Sequence, residues 1–252
     1  MATTIHSAKP ALTTNDSAVL QALFDAESSP SSSAVQIDPS LPALPATLNI
    51  SAEDHTTLKN RELAIIQTLQ SSPSTETIET AISNLSTLIT EFPNYPSAYV
   101  NRAQALRLLI ESTSPNENET VDPLFIPQNS QPSSTLFSDL TTAITLTAPG
   151  SPTATVSTAQ ARILSDAHTH RGYILLKGAK SRRTPSFEGQ AGPDALRGVG
   201  ADQLEEMASR DFFFGGQYGN EIARQLAVQT NPYAKMCGAI VKEALRKEVE
   251  GA

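Results

Sequence analysis

The chain has 252 residues, of which 39% are hydrophobic and only 5% aromatic. Eighteen Lys and Arg against 26 Asp and Glu give a net charge of −8, which argues against a nucleic-acid partner held through its phosphates. The single cysteine excludes an intrachain disulfide framework and a multi-cysteine metal site. No apolar run is long enough to cross a membrane, and the first residues lack the apolar core of a secretory signal. We therefore expect a cytoplasmic protein.

The first 50 residues predict one short helix and a linker. Residues 15–24 place four apolar side chains on a single helical face: Val19, Leu20, Leu23 and Phe24. Residues 28–50 are rich in Ser and Pro, and the prolines at 39, 42 and 45 prevent a regular helix. We interpret residues 1–50 as a short N-terminal helix followed by an extended linker.

From residue 51 to about residue 110 the apolar side chains recur every 3.6 residues, which predicts three helices. The first begins near Ser51, and the polar segment 71–74 ends it. The second ends at Pro93, and the third begins near Ser97. The second helix has the clearest apolar face, made of Ile78, Ala81, Ile82, Leu85, Leu88, Ile89 and Phe92.

Helices continue through the rest of the chain, separated by two predicted loop insertions. Residues 112–134 and 181–200 are polar and broken by Pro or Gly, so we expect both to be exposed loops that proteases cut first. Further helices are predicted around residues 136–144, from about Thr153 to Lys180, around 204–213 with the pair Gly215-Gly216 closing it, over Ile222 to Val228, and from Tyr233 to about Glu248. No segment alternates with a period of two, so the sequence predicts an all-α fold.

Paired helices at regular intervals suggest internal repetition. Ala81, Leu85 and Pro93 follow the spacing of a tetratricopeptide repeat: a small residue, a large apolar residue four later and a proline twelve later. The small residue lets two helices approach closely, and the proline ends the second one. A second unit carries Tyr99, Ala103 and Leu106, and a third carries Gly172, Ala208 and Phe212. Residues 51–230 are thus interpreted as three repeats, the smallest number that buries a continuous solenoid core.

Three stretches resemble the tetratricopeptide repeat protein 36 family: NDSAVLQALFD near the N-terminus, SAYVNRAQALR in the second unit, and QTNPYAKMCGAI near the C-terminus. Members pair a short N-terminal helix with three repeats and a closing helix that carries N-P-Y-A-x-x-C. The resemblance implies that residues 231–252 form a C-terminal capping helix. It also implies a cytosolic protein-binding adaptor, with links to tyrosine catabolism and to chaperone association in animal members.

Repeat proteins of this kind bind partners on a concave face made by the first helix of each pair. The predicted partner-binding positions are Arg61, Ile65, Asn101, Gln104, Leu108, His170, Tyr173 and Lys177. They mix apolar groups with isolated donors, so we expect a peptide to be held by the Asn101 amide and by contact with Tyr173 and Leu108. A chaperone-type clamp for a terminal carboxylate is incomplete, because Ile65 replaces an expected Asn and Asp166 occupies an expected basic position.

The remaining candidates for chemistry are weak. His168 and His170 point about 200° apart on a helix, so they cannot share a metal, and we interpret both as partly exposed. Cys237 is interpreted as a packed thiol, 189–200 as a flexible loop, and the run Phe212–Phe214 as core. The basic segment 182–186 is a hypothetical phosphorylation site.

These observations predict no enzyme activity, no cofactor and no metal. We expect a non-catalytic adaptor or co-chaperone-like scaffold. Its expected partner is a protein or peptide, for which a chaperone is one candidate, and we expect it to bind neither nucleic acid nor membrane. The alternative is a self-associating structural protein whose groove is filled by its own N-terminal segment.

Overall fold

The computed structural model describes residues 35–113, 121–151, 154–184 and 191–231, together with Arg246. Every described residue belongs to one compact unit, Val35–Ala252. The helix predicted at 15–24 lies outside the described residues. So does the capping helix predicted from Tyr233 onward, which includes Cys237; only Arg246 of that stretch is described.

The described residues form seven α-helices and no strand, which confirms the all-α prediction for this part of the chain. One isolated parallel bridge pairs Ile37 with Val156. The helices are α1 Ala52–Gln67, α2 Thr75–Glu91, α3 Pro96–Thr113, α4 Ser130–Thr147, α5 Thr158–Arg182, α6 Ala201–Gln217 and α7 Glu221–Thr230. None of the described helices has both the length and the hydropathy that a membrane crossing requires.

Side-chain caps fix where several helices begin. The hydroxyls of Ser51, Ser74 and Ser157 accept hydrogen bonds from backbone N–H groups three residues later, and the Asn220 side chain does the same for α7. The cap at Ser157 corrects the predicted start of α5 near Thr153. Val156, just before the cap, instead pairs with the segment 36–38: its N–H donates to the Gln36 carbonyl, and its carbonyl accepts from the Asp38 N–H.

Each helix packs against the next along the chain, and α5 and α6 share the most extensive contact. The predicted apolar face of α2 is confirmed: Ile78, Ala81, Leu85, Leu88 and Ile89 are buried. Gly172 of α5 lets α6 approach closely, since a Cβ there would lie 3.0 Å from the Phe212 ring. The main core runs from α3 to α7, and a smaller cluster lies around α1 and α2.

Part of each predicted loop insertion is ordered and packed. Helix α4 begins at Ser130, so the last five residues of the segment 112–134 are helical. Before them, Leu124 and Phe125 are buried in a 3₁₀ turn, and the Phe125 ring packs on Gly178 and Gly192. In the second segment, Leu196 is buried in another 3₁₀ turn. Both segments were predicted to be exposed loops, and the burial of these apolar residues corrects that prediction for the described parts.

The described part of the predicted linker, residues 35–50, is a series of turns and bends packed against the helices, which corrects the prediction that it is extended. Leu44 and Leu48 are buried, and Leu48 lies in a 3₁₀ turn. The Ser157 hydroxyl donates a 2.7 Å hydrogen bond to the carbonyl of Ala43. This segment therefore belongs to the helical unit.

The Gly215-Gly216 pair lies inside α6 and does not end it, which corrects the prediction. A Cβ on Gly215 would lie 2.6 Å from the Thr169 Oγ1 atom, and one on Gly216 would lie 3.0 Å from the Arg224 Cα atom. The two glycines are thus required for close packing of α6 against α5 and α7.

Candidate functional site

A cleft of about 570 Å³ opens between α3, α5 and α7, with α6 behind it. It is lined by Gln104, Arg107, Leu108 and Glu111 from α3, by Asp166, Thr169, His170 and Tyr173 from α5, by Phe212 from α6, and by Asn220, Ile222 and Leu226 from α7 and its cap. We call this surface the α3/α5/α7 cleft. Its volume falls in the range of about 300–1,000 Å³ that small-molecule sites occupy.

Two helices present matching stripes to the α3/α5/α7 cleft. The α3 residues are 104, 107, 108 and 111, and the α5 residues are 166, 169, 170 and 173. Both sets follow the spacing i, i+3, i+4, i+7, which places four side chains on one helical face. Each stripe mixes charged, polar and apolar groups, so neither resembles a core-facing stripe.

His170 is the most unusual residue of the cleft. It is only 8% exposed, and neither of its ring nitrogens has a hydrogen-bond partner among the described residues. Burial, together with the nearby positive charge of Arg107, lowers the pKa of His170 to about 4. The imidazole is therefore neutral at physiological pH, with one nitrogen that donates and one that accepts.

Thr169 carries a second unused polar atom, on the side of α5 that packs against Gly215 of α6. Its Oγ1 atom is buried and makes no hydrogen bond within the described part of the chain. Buried polar groups are nearly always paired, because an unpaired one costs about 1–3 kcal/mol. Thr169 and His170 thus offer hydrogen-bonding capacity that the described protein groups leave unused.

Charges of both signs lie along the α3/α5/α7 cleft. The Arg107 Nε atom donates a 2.7 Å hydrogen bond to Glu111, and its guanidinium lies 4.9 Å from the centre of the Tyr173 ring. Asp166 lies 3.8 Å from Arg162, and burial raises the pKa of Asp166 above its usual value although Arg162 opposes the shift. The cleft therefore has no concentrated charge of one sign.

The opposite face of α5 carries a different histidine. His168 is 7% exposed, and its Nδ1 atom lies 2.8 Å from Asp211 of α6. Arg171 binds the same carboxylate through two hydrogen bonds of 2.7 Å. Burial alone would raise the pKa of Asp211, but the hydrogen bonds from Arg171 and His168 lower it below its usual value.

Both histidines are thus buried, which corrects the expectation that they are partly exposed. The amphipathic pattern of α5 gave no indication of this for His168, because its partner Asp211 lies on α6, 43 positions away. No cluster of three or more His, Cys, Asp or Glu suited to a metal occurs in the described ranges.

The structure brings four of the eight predicted partner-binding residues together. Gln104, Leu108, His170 and Tyr173 line the α3/α5/α7 cleft, and Leu108 remains 38% exposed. The other four lie outside it. Ile65 is half-buried on α1. Arg61, Asn101 and Lys177 are each paired with another side chain of the protein.

Those three partners are all carboxylates. Arg61 pairs with Glu91 at 2.7 Å, and Lys177 pairs with Asp122 at 3.0 Å. The Asn101 amide donates a 2.7 Å hydrogen bond to Glu62. Glu62 is 5% exposed and also accepts hydrogen bonds from Tyr95 and Ser97, so its carboxylate joins α1 to the start of α3.

Sequence reasoning missed Glu62, Thr169 and most of the charged lining of the cleft. The matching i, i+3, i+4, i+7 stripes of α3 and α5 were a readable signal for the lining. Glu62 had no comparable signal, because its three donors lie more than thirty positions later, just before and within the first turns of α3. The expectation that the run Phe212–Phe214 is core holds for Phe212, whereas Phe213 is 46% exposed.

Comparison with known proteins identifies a close relative. The chain is 65% identical over 251 residues to the L-tyrosine degradation gene cluster protein hmgX of Aspergillus fumigatus, covering 99% of this chain and 98% of the relative. The chain belongs to the hmgX family. No family model matches it, and no solved structure matches it. The name of the hmgX relative agrees with the link to tyrosine catabolism expected from the sequence.

Proposed function

We propose that this protein is a non-catalytic, cytoplasmic accessory factor of tyrosine degradation that acts by binding a protein partner. The identity of 65% to hmgX over nearly the full length of both chains carries the proposal, because that relative is named for an L-tyrosine degradation gene cluster. The helical framework and the cleft support the adaptor role.

The proposal includes a solenoid of tetratricopeptide type, and a repeated interhelical contact supports it. Arg102 of α3 binds Asp139 of α4 through hydrogen bonds of 2.8 and 2.7 Å. Arg171 of α5 binds Asp211 of α6 in the same two-pronged manner. In each case a small residue follows the arginine, Ala103 or Gly172, and a large apolar residue follows the aspartate. Two successive helix pairs thus use the same packing arrangement.

A binding role also fits the placement of the titratable groups. The His168–Asp211 pair lies on the far side of α5, against the rings of Phe214 and Tyr218, and does not line the cleft. Within the cleft His170 is neutral and has no hydrogen-bonded carboxylate among the described residues to orient it as a base. The cleft offers contact area and hydrogen bonds, as a recognition surface does.

The test is affinity purification of the tagged full chain from cell extract, followed by mass spectrometry. We expect enzymes of tyrosine degradation to be enriched. The Tyr173→Ala variant should lose them more than Arg61→Ala does, because Tyr173 lines the cleft whereas Arg61 is exposed and paired with Glu91. Binding should weaken less than about tenfold between low and physiological salt, since no charge cluster holds the partner. A steep salt dependence, with Arg61→Ala as the worse variant, would contradict this mode of binding.

Self-association remains the second candidate, and one observation favours it. Ile222 and Val228 of α7 are 68% and 65% exposed, which is high for large apolar side chains. Light scattering across a concentration series decides between the candidates. A dimer that Ile222→Glu converts to a monomer supports self-association, and a monomer at all concentrations rejects it.

A further inference from the structure

We propose that the α3/α5/α7 cleft and a smaller neighbouring pocket together bind an extended segment of a partner protein, in which a basic residue lies between two apolar residues. The inference rests on the proposed function in taking a protein as the partner. It adds the chemistry of the segment that this partner presents, with Asp166 of α5 holding the basic residue.

A second pocket, of about 260 Å³, lies at the N-terminal end of α5. Its walls include Ile37 from the segment before α1, and Tyr218 and Gly219 from the end of α6. We call this cavity the Ile37 pocket. Asp166 lines both the Ile37 pocket and the α3/α5/α7 cleft, so the two cavities adjoin at this carboxylate.

The two cavities lie end to end along one face of α5. The α5 residues of the Ile37 pocket are 158, 161, 162, 165 and 166, and those of the cleft are 166, 169, 170 and 173. Together they follow the spacing of three and four residues that makes one helical stripe. At a rise of 1.5 Å per residue the stripe is about 22 Å long, which matches about seven residues of extended chain.

Asp166 is the charge of this surface that its neighbours balance least. Arg107 and Glu111 of the cleft lie 2.7 Å apart and offset each other. The ion-pair partner of Asp166 is Arg162, at 3.8 Å, and the Arg162 side chain is 85% exposed, so this pair is weak. Because burial raises the pKa of Asp166 in spite of Arg162, a further positive charge would stabilise the carboxylate. A lysine or arginine of the partner complements this position.

Exposed apolar side chains lie on both sides of Asp166. Leu108 and Ile222 of the cleft are 38% and 68% exposed, and Ile37 of the smaller pocket is 39% exposed. The middle of each cavity lies about four residues along α5 from Asp166, or about 6 Å, which is the length of two extended residues. Residues two apart point to the same side of an extended segment, so all three partner side chains can face α5.

Selection of displayed random peptides on the immobilised full chain tests the inference without knowledge of the natural partner. We expect enriched peptides to carry Lys or Arg, with an apolar residue two positions before it and another two positions after it. A synthetic peptide of the most enriched sequence is then titrated by fluorescence polarisation. Replacing its basic residue by Glu should weaken binding at least about tenfold, because the carboxylates then repel each other.

Charge variants of the protein locate this preference. Asp166→Lys should reverse it, so that the Glu peptide binds more tightly than the basic one. Asp166→Asn keeps the shape of the side chain and should bring the two affinities close together, and it replaces Asp166→Lys if that variant does not fold. Asp202→Lys is the matched control, because it makes the same change in net charge on a side chain that is 98% exposed and lines neither cavity.

Apolar variants assign the two ends of the peptide. In Ile37→Ala the apolar residue at one end of the peptide should matter less than in the wild type, and in Ile222→Ala the apolar residue at the other end should. Leu41→Ala is the control, since Leu41 is 38% exposed and lines neither cavity. Circular dichroism confirms that each variant is folded.

Three results would overturn the inference. The first is that no peptide is enriched. The second is enrichment of peptides without the basic residue; purely apolar peptides, together with a dimer in light scattering, would assign the surface to a second copy of the chain. The third is an unchanged preference for the basic peptide in both Asp166→Lys and Asp166→Asn. None of these results affects the recovery of tyrosine degradation enzymes in the affinity experiment, so the proposed function is tested separately.

Discussion

The two faces of α5 bury a histidine to almost the same extent and treat it in opposite ways. His168 is 7% exposed and bonds to Asp211, which Arg171 also holds, whereas His170 is 8% exposed and has no bonded nitrogen in the described part of the chain. Burial therefore does not separate a structural histidine from a candidate binding residue. Hydrogen-bond satisfaction does, because a fold has little reason to retain a buried polar group that nothing pairs.

The largest effect is expected from breaking the satisfied face. Asp211→Ala leaves the buried His168 and the partly buried Arg171 without their shared carboxylate, so the free energy of unfolding should fall by about 3 kcal/mol. Urea denaturation measures the change. The control is Asp202→Ala, because the Asp202 side chain is 98% exposed and its pairing with Arg183 should contribute about 1 kcal/mol or less. Similar losses in the two variants would remove the distinction drawn for the α5–α6 contact.

The second prediction concerns pH and the other face of α5. Because the pKa of His170 is about 4 in the folded chain and near 6.5 when unfolded, the unfolded state alone gains a proton between these values. The contribution of the neutral His170 to the free energy of unfolding is therefore complete above pH 6.5. It is lost as the pH falls, by up to roughly 3 kcal/mol at pH 4.

The measurement is the unfolding free energy of the wild type and of His170→Phe between pH 7 and pH 4. The variant should lose less stability over this range, since Arg107, Asp166 and the other groups around position 170 are present in both proteins. Parallel pH profiles would show that the imidazole is protonated in the folded chain.

The third prediction tests the close approach of α5 and α6. Gly172→Ala adds a Cβ about 3.0 Å from the Phe212 ring and 3.3 Å from the Ala208 carbonyl oxygen. The overpacking should exceed the gain in helix propensity, for a net loss of about 1–2 kcal/mol in thermal or chemical denaturation. Gly150→Ala is the control, because no described residue beyond its chain neighbours comes within 4 Å of the added Cβ, and its stability should change by less than about 0.5 kcal/mol.

The smallest effect compares two threonines. Thr147 is fully buried and donates a 2.6 Å hydrogen bond to the carbonyl of Ala143, so Thr147→Val should cost about 1 kcal/mol. Thr169→Val removes a buried hydroxyl without a partner in the described residues, so stability should stay within about 0.5 kcal/mol or rise. A loss in Thr169→Val as large as in Thr147→Val would show that the hydroxyl is bonded in solution.

Local patterns predicted the helices well and their connections poorly. The apolar period of α2 and the start of α1 at Ser51 are short-range signals, so they could be read directly. The packing of Phe125 on Gly178 depends on residues about fifty positions apart, which no local period reveals. A polar, proline-broken stretch therefore resembled an exposed loop although it contains a core residue.

The candidate site was half predictable for the same reason. Gln104, Leu108, His170 and Tyr173, four of the eight predicted positions, line the α3/α5/α7 cleft. The lining residues from α7 were missed. Ile222 and Leu226 reach the cleft because α7 packs closely against Gly215 and Gly216 of α6. Asn101 was predicted to bind a protein partner. Nothing in the sequence indicated that its amide instead donates a hydrogen bond to Glu62 of α1.

The Glu62 carboxylate has a consequence for how the chain opens. Helix α1 buries only Leu58 and Glu62, and Glu62 attaches it to Tyr95, Ser97 and Asn101. A helix held mainly by polar bonds to one carboxylate exposes little apolar surface when it detaches. Local opening of α1 should therefore require much less free energy than global unfolding. In native-state hydrogen exchange the amides of α1 would form the first cooperative unit to lose protection, while those of α5 would exchange only with the whole molecule.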